Sequence, residues 1–368
     1  MKKTLHLIAA ARPNFMKVAP LYHALAREAW CATQIVHTGQ HYDANMSDAF
    51  FQDLALPEPA HHLGVGSGTH AEQTAGVMVA YERLCLAERP DLTIVVGDVN
   101  STMACTLAAK KLLIPVAHLE AGLRSRDWTM PEEINRIVTD SLADVLWTPS
   151  EDADDNLRHE GCAPERIVRV GNIMIDSYEM LRPKIEAART PADFGLQSKS
   201  YGVVTLHRPS NVDRRESLDV LVAMLISVAA RLPLVFSMHP RTRKSLERFD
   251  MLRRLAGAPG IRITEPMNYI RFMGLVREAC VAITDSGGIQ EETTYLGIPC
   301  LTLRENTERP ITVTKGTNRL VQPADIAPMI ERIVAGVWPP GAVPELWDGR
   351  TAGRIVADLK SKFKGGPI

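Results

Sequence analysis

Val281-Ala282-Ile283-Thr284 is a short apolar run that breaks into Asp285-Ser286-Gly287-Gly288, and Ile289-Gln290-Glu291-Glu292 then opens a helical pattern. A buried strand, a glycine turn and a helix, in that order, form the βα unit of a parallel sheet. The turn leaves backbone N–H groups free at the helix N-terminus, where hydrogen bonding and the helix dipole both favour a phosphate. Ser286 adds a hydroxyl, and Gly287 and Gly288 let a phosphate approach the backbone closely. Glu292, one turn into the helix, is placed to accept both hydroxyls of a ribose. The string alone also fits a plain strand-to-helix turn whose acids complement the dipole, so its context decides.

The same unit recurs along the chain. Runs at Leu5–Ala10, Gln34–Thr38, Leu92–Gly97, Val116–Leu119, Val145–Thr148 and Ile167–Val170 alternate with helical patterns. A second series follows at Gly202–Leu206, Leu234–His239, Ile261–Thr264, Val281–Thr284 and Cys300–Leu303. Near-continuous apolar strands between amphipathic helices indicate parallel sheets covered on both faces. The series restarts at Tyr201 after a polar, helix-like stretch, Tyr178–Lys199, that contains Pro183 and Pro191. The expected fold class is α/β, with two Rossmann-like doubly wound domains over 1–173 and 174–352 and a short amphipathic helix, Gly353–Lys364, after them. In the first helix, Phe15, Val18, Ala19, Tyr22, Leu25 and Ala26 repeat at helical spacing and should face the sheet, with Pro13 in the first turn. Ligands of such sheets bind where loops leave the carboxyl ends of the strands, so the residues just after the strands carry the functional reading.

A chain of 368 residues exceeds one compact core of ordinary size, in keeping with two domains. Hydrophobic residues at 45% and charged ones at 23% are those of an ordinary globular protein. A formal charge of −1 gives no field to attract nucleic acid or an anionic membrane, so any bound anion must be held by local groups. The six cysteines (Cys31, Cys85, Cys105, Cys162, Cys280 and Cys300) stand singly, as small buried hydrophobes in a reducing compartment rather than as a zinc site. Met1-Lys2-Lys3-Thr4-Leu5-His6-Leu7-Ile8 lacks the apolar length of a secretory signal and reads as a first strand. No apolar run approaches the ~18 residues of a spanning helix, so a soluble, cytoplasmic protein is expected.

Ala11-Arg12-Pro13-Asn14-Phe15-Met16-Lys17 follows the first strand, with Arg12 in the loop and Lys17 at the helix start. Two cations at that edge suit an anionic ligand, although Lys17 alone also fits a solvated helix position. Three carboxylates stand nearby in the pattern: Asp98 after Gly97, Glu120 after Leu119, and Glu132 in Met130-Pro131-Glu132-Glu133-Ile134-Asn135-Arg136. Asp98 and Glu120 should leave adjacent strands and converge, which raises carboxyl pKa values toward those of a general acid and base. Asp98 could instead cap the helix near Ser101, and Glu132 could form a capping box with Thr129 or pair with Arg136. Glu120 has no such competing role. In the second half, His207-Arg208-Pro209-Ser210-Asn211 and His239-Pro240-Arg241 both follow strands. A histidine there is a switchable charge facing a phosphate or leaving group, and two at corresponding strand ends favour that over a purely structural role. The other histidines, including His61-His62, show no metal-ligand spacing, and no nucleophile elbow is present.

Taken in order, these strings resemble the non-hydrolysing UDP-N-acetylglucosamine 2-epimerases over nearly the whole chain. The likeness rests on Arg12-Pro13 with Lys17, His37-Thr38-Gly39-Gln40-His41, Gly97-Asp98 and His118-Leu119-Glu120-Ala121-Gly122-Leu123-Arg124. It continues through Pro131-Glu132-Glu133-Ile134-Asn135-Arg136 and His207-Arg208 to Asp285-Ser286-Gly287-Gly288-Ile289-Gln290-Glu291-Glu292 and Thr307-Glu308-Arg309-Pro310. The resemblance implies a glycosyltransferase-B-type fold: two Rossmann-like domains facing a central cleft, UDP held mainly by the second, and a C-terminal helix at about 353–368 crossing back to the first. It implies that Ser286, Gly287, Gly288 and Arg309 hold the diphosphate, that Glu292 holds the ribose, and that Met267 and Phe272 line the uracil pocket. Arg12, Lys17, Asp98, Glu120, Glu132, Arg136 and His207 would surround the sugar and its leaving group. A homodimer, a UDP-sugar substrate and no nicotinamide or metal are implied as well.

The implied chemistry is epimerisation at C2. The C2 proton of an N-acetylhexosamine is too weakly acidic for simple abstraction. The family expels UDP as a base removes that proton, forming a 2-acetamidoglucal, and then adds UDP and a proton back on the other face. That division asks for carboxylates at the sugar and cations at the diphosphate, with water kept from the glucal. The chain departs from many bacterial members in having Pro209-Ser210-Asn211-Val212-Asp213 in place of Arg-Glu after His207-Arg208, and Tyr42-Asp43 after Gln40-His41. In some members these regions hold a second, activating substrate, and the resemblance does not carry that site to this chain. A glycosyltransferase of the same fold, a hydrolysing epimerase, a nucleotide-sugar sensor and an epimerase of a diacetamido uronic acid are the competing readings.

Overall fold

The structure, a computed structural model, describes residues 2–10, 12–39, 53–366 and 368, with Arg12 and Pro13 as backbone. Ala11, Gln40, His41, Tyr42 and Asp43 of the strings above lie outside the described residues. By contacts the chain forms two units, Met1–Met180 with Glu345–Ile368, and Leu181–Pro344.

The first unit holds β1 (Lys3–Ala9), β2 (Cys31–His37), β3 (His61–His62), β4 (Leu92–Val96), β5 (Val116–Leu119), β6 (Val145–Thr148) and β7 (Ile167–Arg169). They form one parallel sheet in the order β3-β2-β1-β4-β5-β6-β7. The second unit holds β8 (Gly202–Thr205), β9 (Leu234–Ser237), β10 (Ile261–Thr264), β11 (Val281–Thr284), β12 (Cys300–Thr302) and β13 (Asn318–Leu320). Its parallel order, β10-β9-β8-β11-β12-β13, repeats the first six positions of the other sheet. Both are Rossmann-like, doubly wound α/β sheets, as the strand spacing led one to expect. The order reverses between β1 and β4 and again between β8 and β11, and a doubly wound sheet binds its ligand outside that reversal. Asn14 and Lys17 follow β1 and Asp98 follows β4, while His207 follows β8 and Asp285 follows β11.

Hydrophobic burial holds each sheet between its helices. In the second unit Val204, Phe236, Ile283 and Leu301 pack with Leu221, Leu225 and Ile330. In the first, Val95, Val116 and Leu146 pack with Tyr81, Cys105 and Ala108. The helix Arg12–Ala26 buries Phe15, Val18, Ala19 and Leu25 as its spacing predicts, whereas Ala26 is exposed and Tyr22 only half-buried. Met16 and Leu21 are buried too, and the helix Thr351–Gly365 packs against this helix. That last helix is anchored locally: Asp176 accepts the Thr351 and Ala352 amides, and the Trp147 indole donates to Asp358. No helix among the described residues is long and apolar enough to cross a membrane.

Candidate active site

At the reversal of the first sheet, Gly97 follows β4 in the left-handed region (φ +69°), which glycine adopts without penalty. A Cβ there would lie 3.3 Å from Lys17 Nζ and 3.5 Å from both Asn14 Nδ2 and Glu120 Oε2, so the missing side chain is the room in which these groups meet. Lys17 is ion-paired to Glu120, and Asn14 is fixed by donating to the Val96 carbonyl. Glu120 is 4% exposed and, unusually for a side chain with a Cβ, has φ +72°. That conformation costs about 1–2 kcal/mol. It is held by the Glu120 and Ala121 amides, which both donate to the Trp147 carbonyl at 3.1 Å. The Oε2 atom is taken by Lys17, while the buried Oε1 has no hydrogen-bond partner among the described residues. Behind this strand end, His118 bridges the Gly97 carbonyl and Asp140, and Asp140 is also paired with Arg124.

The other two carboxylates are arranged differently from expectation. Asp98 caps no helix: the cap of Asn100–Lys111 is Val99, with no side-chain bond. Asp98 instead accepts Arg136 Nη1 at 2.5 Å. Arg12, expected in the loop, is the first residue of its helix, and Lys17 lies a turn further in. Glu132 forms no capping box with Thr129, whose hydroxyl donates to Asp127, and the cap residue is Met130. Nor does Glu132 pair with Arg136. That partner is Glu133, whose Oε2 lies 2.5 Å from Arg136 Nη2. Glu133 wins because it also accepts the Ser125 and Arg126 amides and the Ser125 hydroxyl, which draw it inward. Burial alone would raise its carboxyl, but these donors and Arg136 outweigh that and hold it below the usual range. Glu132 is left half-buried with no hydrogen bond or ion pair among the described residues.

At the reversal of the second sheet, the helix Gly287–Leu296 begins with Ser286 as its cap residue. A Cβ on Gly287 would meet Glu308 Oε1 at 2.6 Å and Arg309 Nη1 at 2.7 Å, whereas one on Gly288 would meet nothing within 4 Å. Gly287 is thus where Arg309 presses on the turn, and Gly288 is the open side. Arg309 is itself held by Glu291 (2.8 Å) and Glu308 (2.5 Å). Glu292 is 2% exposed and takes a 2.7 Å hydrogen bond from the Tyr269 hydroxyl. Burial, with Glu291 close by, raises its carboxyl to about 8. Phe272 packs on Ala282, Ile289 and Cys300, and the Met267 amide reaches Ser237 Oγ at 3.5 Å. His207 sits beside the turn, its Nδ1 3.0 Å from Asp285 Oδ1.

A family model described as UDP-N-acetylglucosamine 2-epimerase matches residues 23–360. This chain belongs to that family. A UDP-N-acetylglucosamine 2-epimerase of Methanocaldococcus jannaschii is 42% identical, covering 86% of this chain and 88% of its own length. A UDP-2,3-diacetamido-2,3-dideoxy-D-glucuronate 2-epimerase of Pseudomonas aeruginosa is 40% identical, covering 85% and 87%. A crystal structure of the M. jannaschii UDP-GlcNAc 2-epimerase in complex with UDP-GlcNAc and UDP matches with a TM-score of 0.88 at 39% identity, over 97% of this chain and 99% of that one.

Within this 2-epimerase family member, several residues at the site escape a reading of the sequence. Glu133 hides behind Glu132, since Arg136 lies three residues from one and four from the other. Asn14 and Tyr269 carry no motif of their own. Asp285 stands inside the phosphate-turn string, yet its link to His207 follows only from β8 and β11 being neighbours, with Thr284 opposite Thr205.

Proposed function

We propose that this chain interconverts UDP-N-acetylglucosamine and UDP-N-acetylmannosamine by inverting C2. The observation that carries the reading is Glu120, a buried carboxylate with one oxygen paired to Lys17 and the other without a partner among the described residues, at the switch point of a Rossmann-like sheet. Asp98, Glu120 and Glu132 share the acid and base work. One takes the C2 proton as the C1–oxygen bond to UDP breaks, and another returns a proton to the opposite face as the β-phosphate oxygen re-adds to C1. Lys17, Arg12 and Arg136 offset the charge around the sugar. Ser286, Gly287, Gly288 and Arg309 hold the diphosphate, with His207 facing it as it departs, and fixed donors there lower the barrier by stabilising the developing charge. Glu292 receives the ribose hydroxyls, and Met267 and Phe272 border the base. A homodimeric, cytoplasmic enzyme belongs to the same proposal.

The test is incubation with a panel of UDP-sugars followed by chromatography. An isomeric UDP-sugar from UDP-N-acetylglucosamine is the expected result. Free sugar with UDP would mean a hydrolysing enzyme, and no change without an acceptor would favour a transferase or a sensor. The Pseudomonas relative favours one further substrate, UDP-2,3-diacetamido-2,3-dideoxy-D-glucuronate; if that alone is converted, the sugar assigned above is wrong and the reaction stands.

The phosphate turn supplies its own test. In Gly287→Ala the new methyl meets the Glu308–Arg309 pair, so Arg309 must withdraw. Losing one charge-assisted contact to the diphosphate, worth roughly 1.5–3 kcal/mol, should weaken UDP binding about tenfold or more in calorimetry. Unchanged affinity would remove Arg309 and the turn from the diphosphate site.

A further inference from the structure

We propose that Asp285 is a positioning residue that fixes the His207 ring beside the phosphate turn with Nδ1 as donor, leaving Nε2 as the nitrogen presented to the departing diphosphate. The inference rests on the epimerase reading above for what His207 faces, and on geometry for everything else.

Asp285 is fully buried, one residue past the end of β11 and immediately before Ser286. Its carboxylate accepts the His207 amide (3.0 and 3.1 Å), the Arg208 amide (2.9 Å) and Asn211 Nδ2 (3.0 Å), while Arg208 Nε donates to the Asp285 carbonyl (3.0 Å). One side chain thus joins the loop after β8 to the turn after β11. Those amide donors already suffice to tether the loop. The His207 ring adds a contact that tethering does not need, with Nδ1 3.0 Å from Oδ1. Burial would raise the Asp285 carboxyl, but the His207 ring, Asn211 and the Arg208 amide outweigh it and hold the group below its ordinary range. An ionised carboxylate only accepts, so the proton between the two groups sits on Nδ1. Nε2 is then the one ring position able to share a proton with a ligand. The groups around the ring agree. The His239 ring lies 5.4 Å away, and its own Nδ1 accepts the Arg241 amide, so it does not compete for Asp285. His207 itself keeps 37% of its side chain exposed, so the ring is open to a ligand beside the turn.

Nitrogen NMR on histidine-labelled protein reads the arrangement directly, with His207 assigned by its loss in His207→Gln. The parent should show a protonated Nδ1, and UDP should move the Nε2 signal selectively. A neutral ring protonated at Nε2, or an Nε2 indifferent to UDP, would overturn the assignment. Neither measurement needs turnover, so a protein inactive on every UDP-sugar would sink the epimerase reading while these spectra still judge Asp285. In Asp285→Asn the Nδ1 pattern should be lost and kcat should fall about 10²-fold, in the range of a misplaced acid–base group, with KM and UDP affinity close to the parent's. The double variant with His207→Gln should be no slower than His207→Gln alone. Multiplying losses would show that Asp285 acts independently of the ring. If Asp285→Asn does not fold, the parent spectra alone decide.

Discussion

Replacing Glu120 by Gln should stop solvent deuterium from entering the sugar at C2 while leaving UDP binding nearly intact. The substitution keeps the volume and the left-handed backbone, and removes only the charge and the proton-accepting oxygen. Acid–base groups of this kind contribute about 10²–10⁴-fold, so exchange should fall into the background of a mass-spectrometric assay in heavy water. Lys17 loses its partner in the same step, and on the proposed reading, which sets it beside the sugar and its leaving group, its charge is then no longer offset. UDP affinity measured by calorimetry should therefore hold or rise slightly. Undiminished exchange would remove Glu120 from the chemistry and leave Asp98 or Glu132 as the base. Equal loss of exchange and of UDP binding would mean that the carboxylate is structural.

The backbone at Glu120 bears on the same point. A strand that ended in relaxed geometry would carry the next side chain on along the sheet. The left-handed turn at φ +72° instead reverses the chain at once, bringing the carboxylate over Gly97 to Lys17. Strain of that size persists where the surroundings fix it, here the paired bonds to Trp147 and the His118–Asp140–Arg124 ties behind it. Backbone geometry at Glu120 and Gly97 therefore sets where this carboxylate meets Lys17.

Much of this was legible in the chain, for reasons that separate cleanly. Val116–Leu119, Val145–Thr148 and Val281–Thr284 are strands at the limits their apolar runs predict, because a doubly covered parallel strand must be apolar throughout, and the edge strand Ile261–Thr264 keeps its predicted limits with Arg262 exposed. β3 and β13 escaped, since His61-His62 and Asn318-Arg319-Leu320 lie at sheet edges and need no such run. Residues following strands were found in the same way, and Asp98, Glu120, His207 and Ser286 all leave carboxyl ends. Partners were another matter. Which of Glu132 and Glu133 meets Arg136 depends on the Ser125 and Arg126 amides, brought there by a loop whose path no periodicity records. Local spacing also suggested caps at Asp98 and Thr129, but Arg136 takes the first and the nearby Asp127 accepts the hydroxyl of the second.

Arg136 carries the largest expected effect on stability. It is 1% exposed and joins two carboxylates, Asp98 and Glu133. Arg136→Met keeps most of the apolar stem but leaves Glu133 buried at 1% exposure without a counter-charge. Breaking such a pair from one side costs about 3–5 kcal/mol, with most of it assigned to Glu133, because Asp98 is part-exposed and water screens its share. The pH dependence gives the sign. In the parent the Glu133 carboxyl lies below its ordinary value, so its contribution is present above the unfolded carboxyl pKa of about 4.3 and is lost as pH falls below that. In the variant the same carboxyl, now desolvated and unpaired, prefers its proton. Denaturant titrations should therefore show the widest gap between parent and variant near pH 7, narrowing steadily toward pH 5. Adding Glu133→Gln to Arg136→Met should recover part of the loss at pH 7 by removing the unpaired charge. A gap below about 1 kcal/mol, the worth of an exposed pair, or one that widens on acidification, would mean that Glu133 is not held by Arg136.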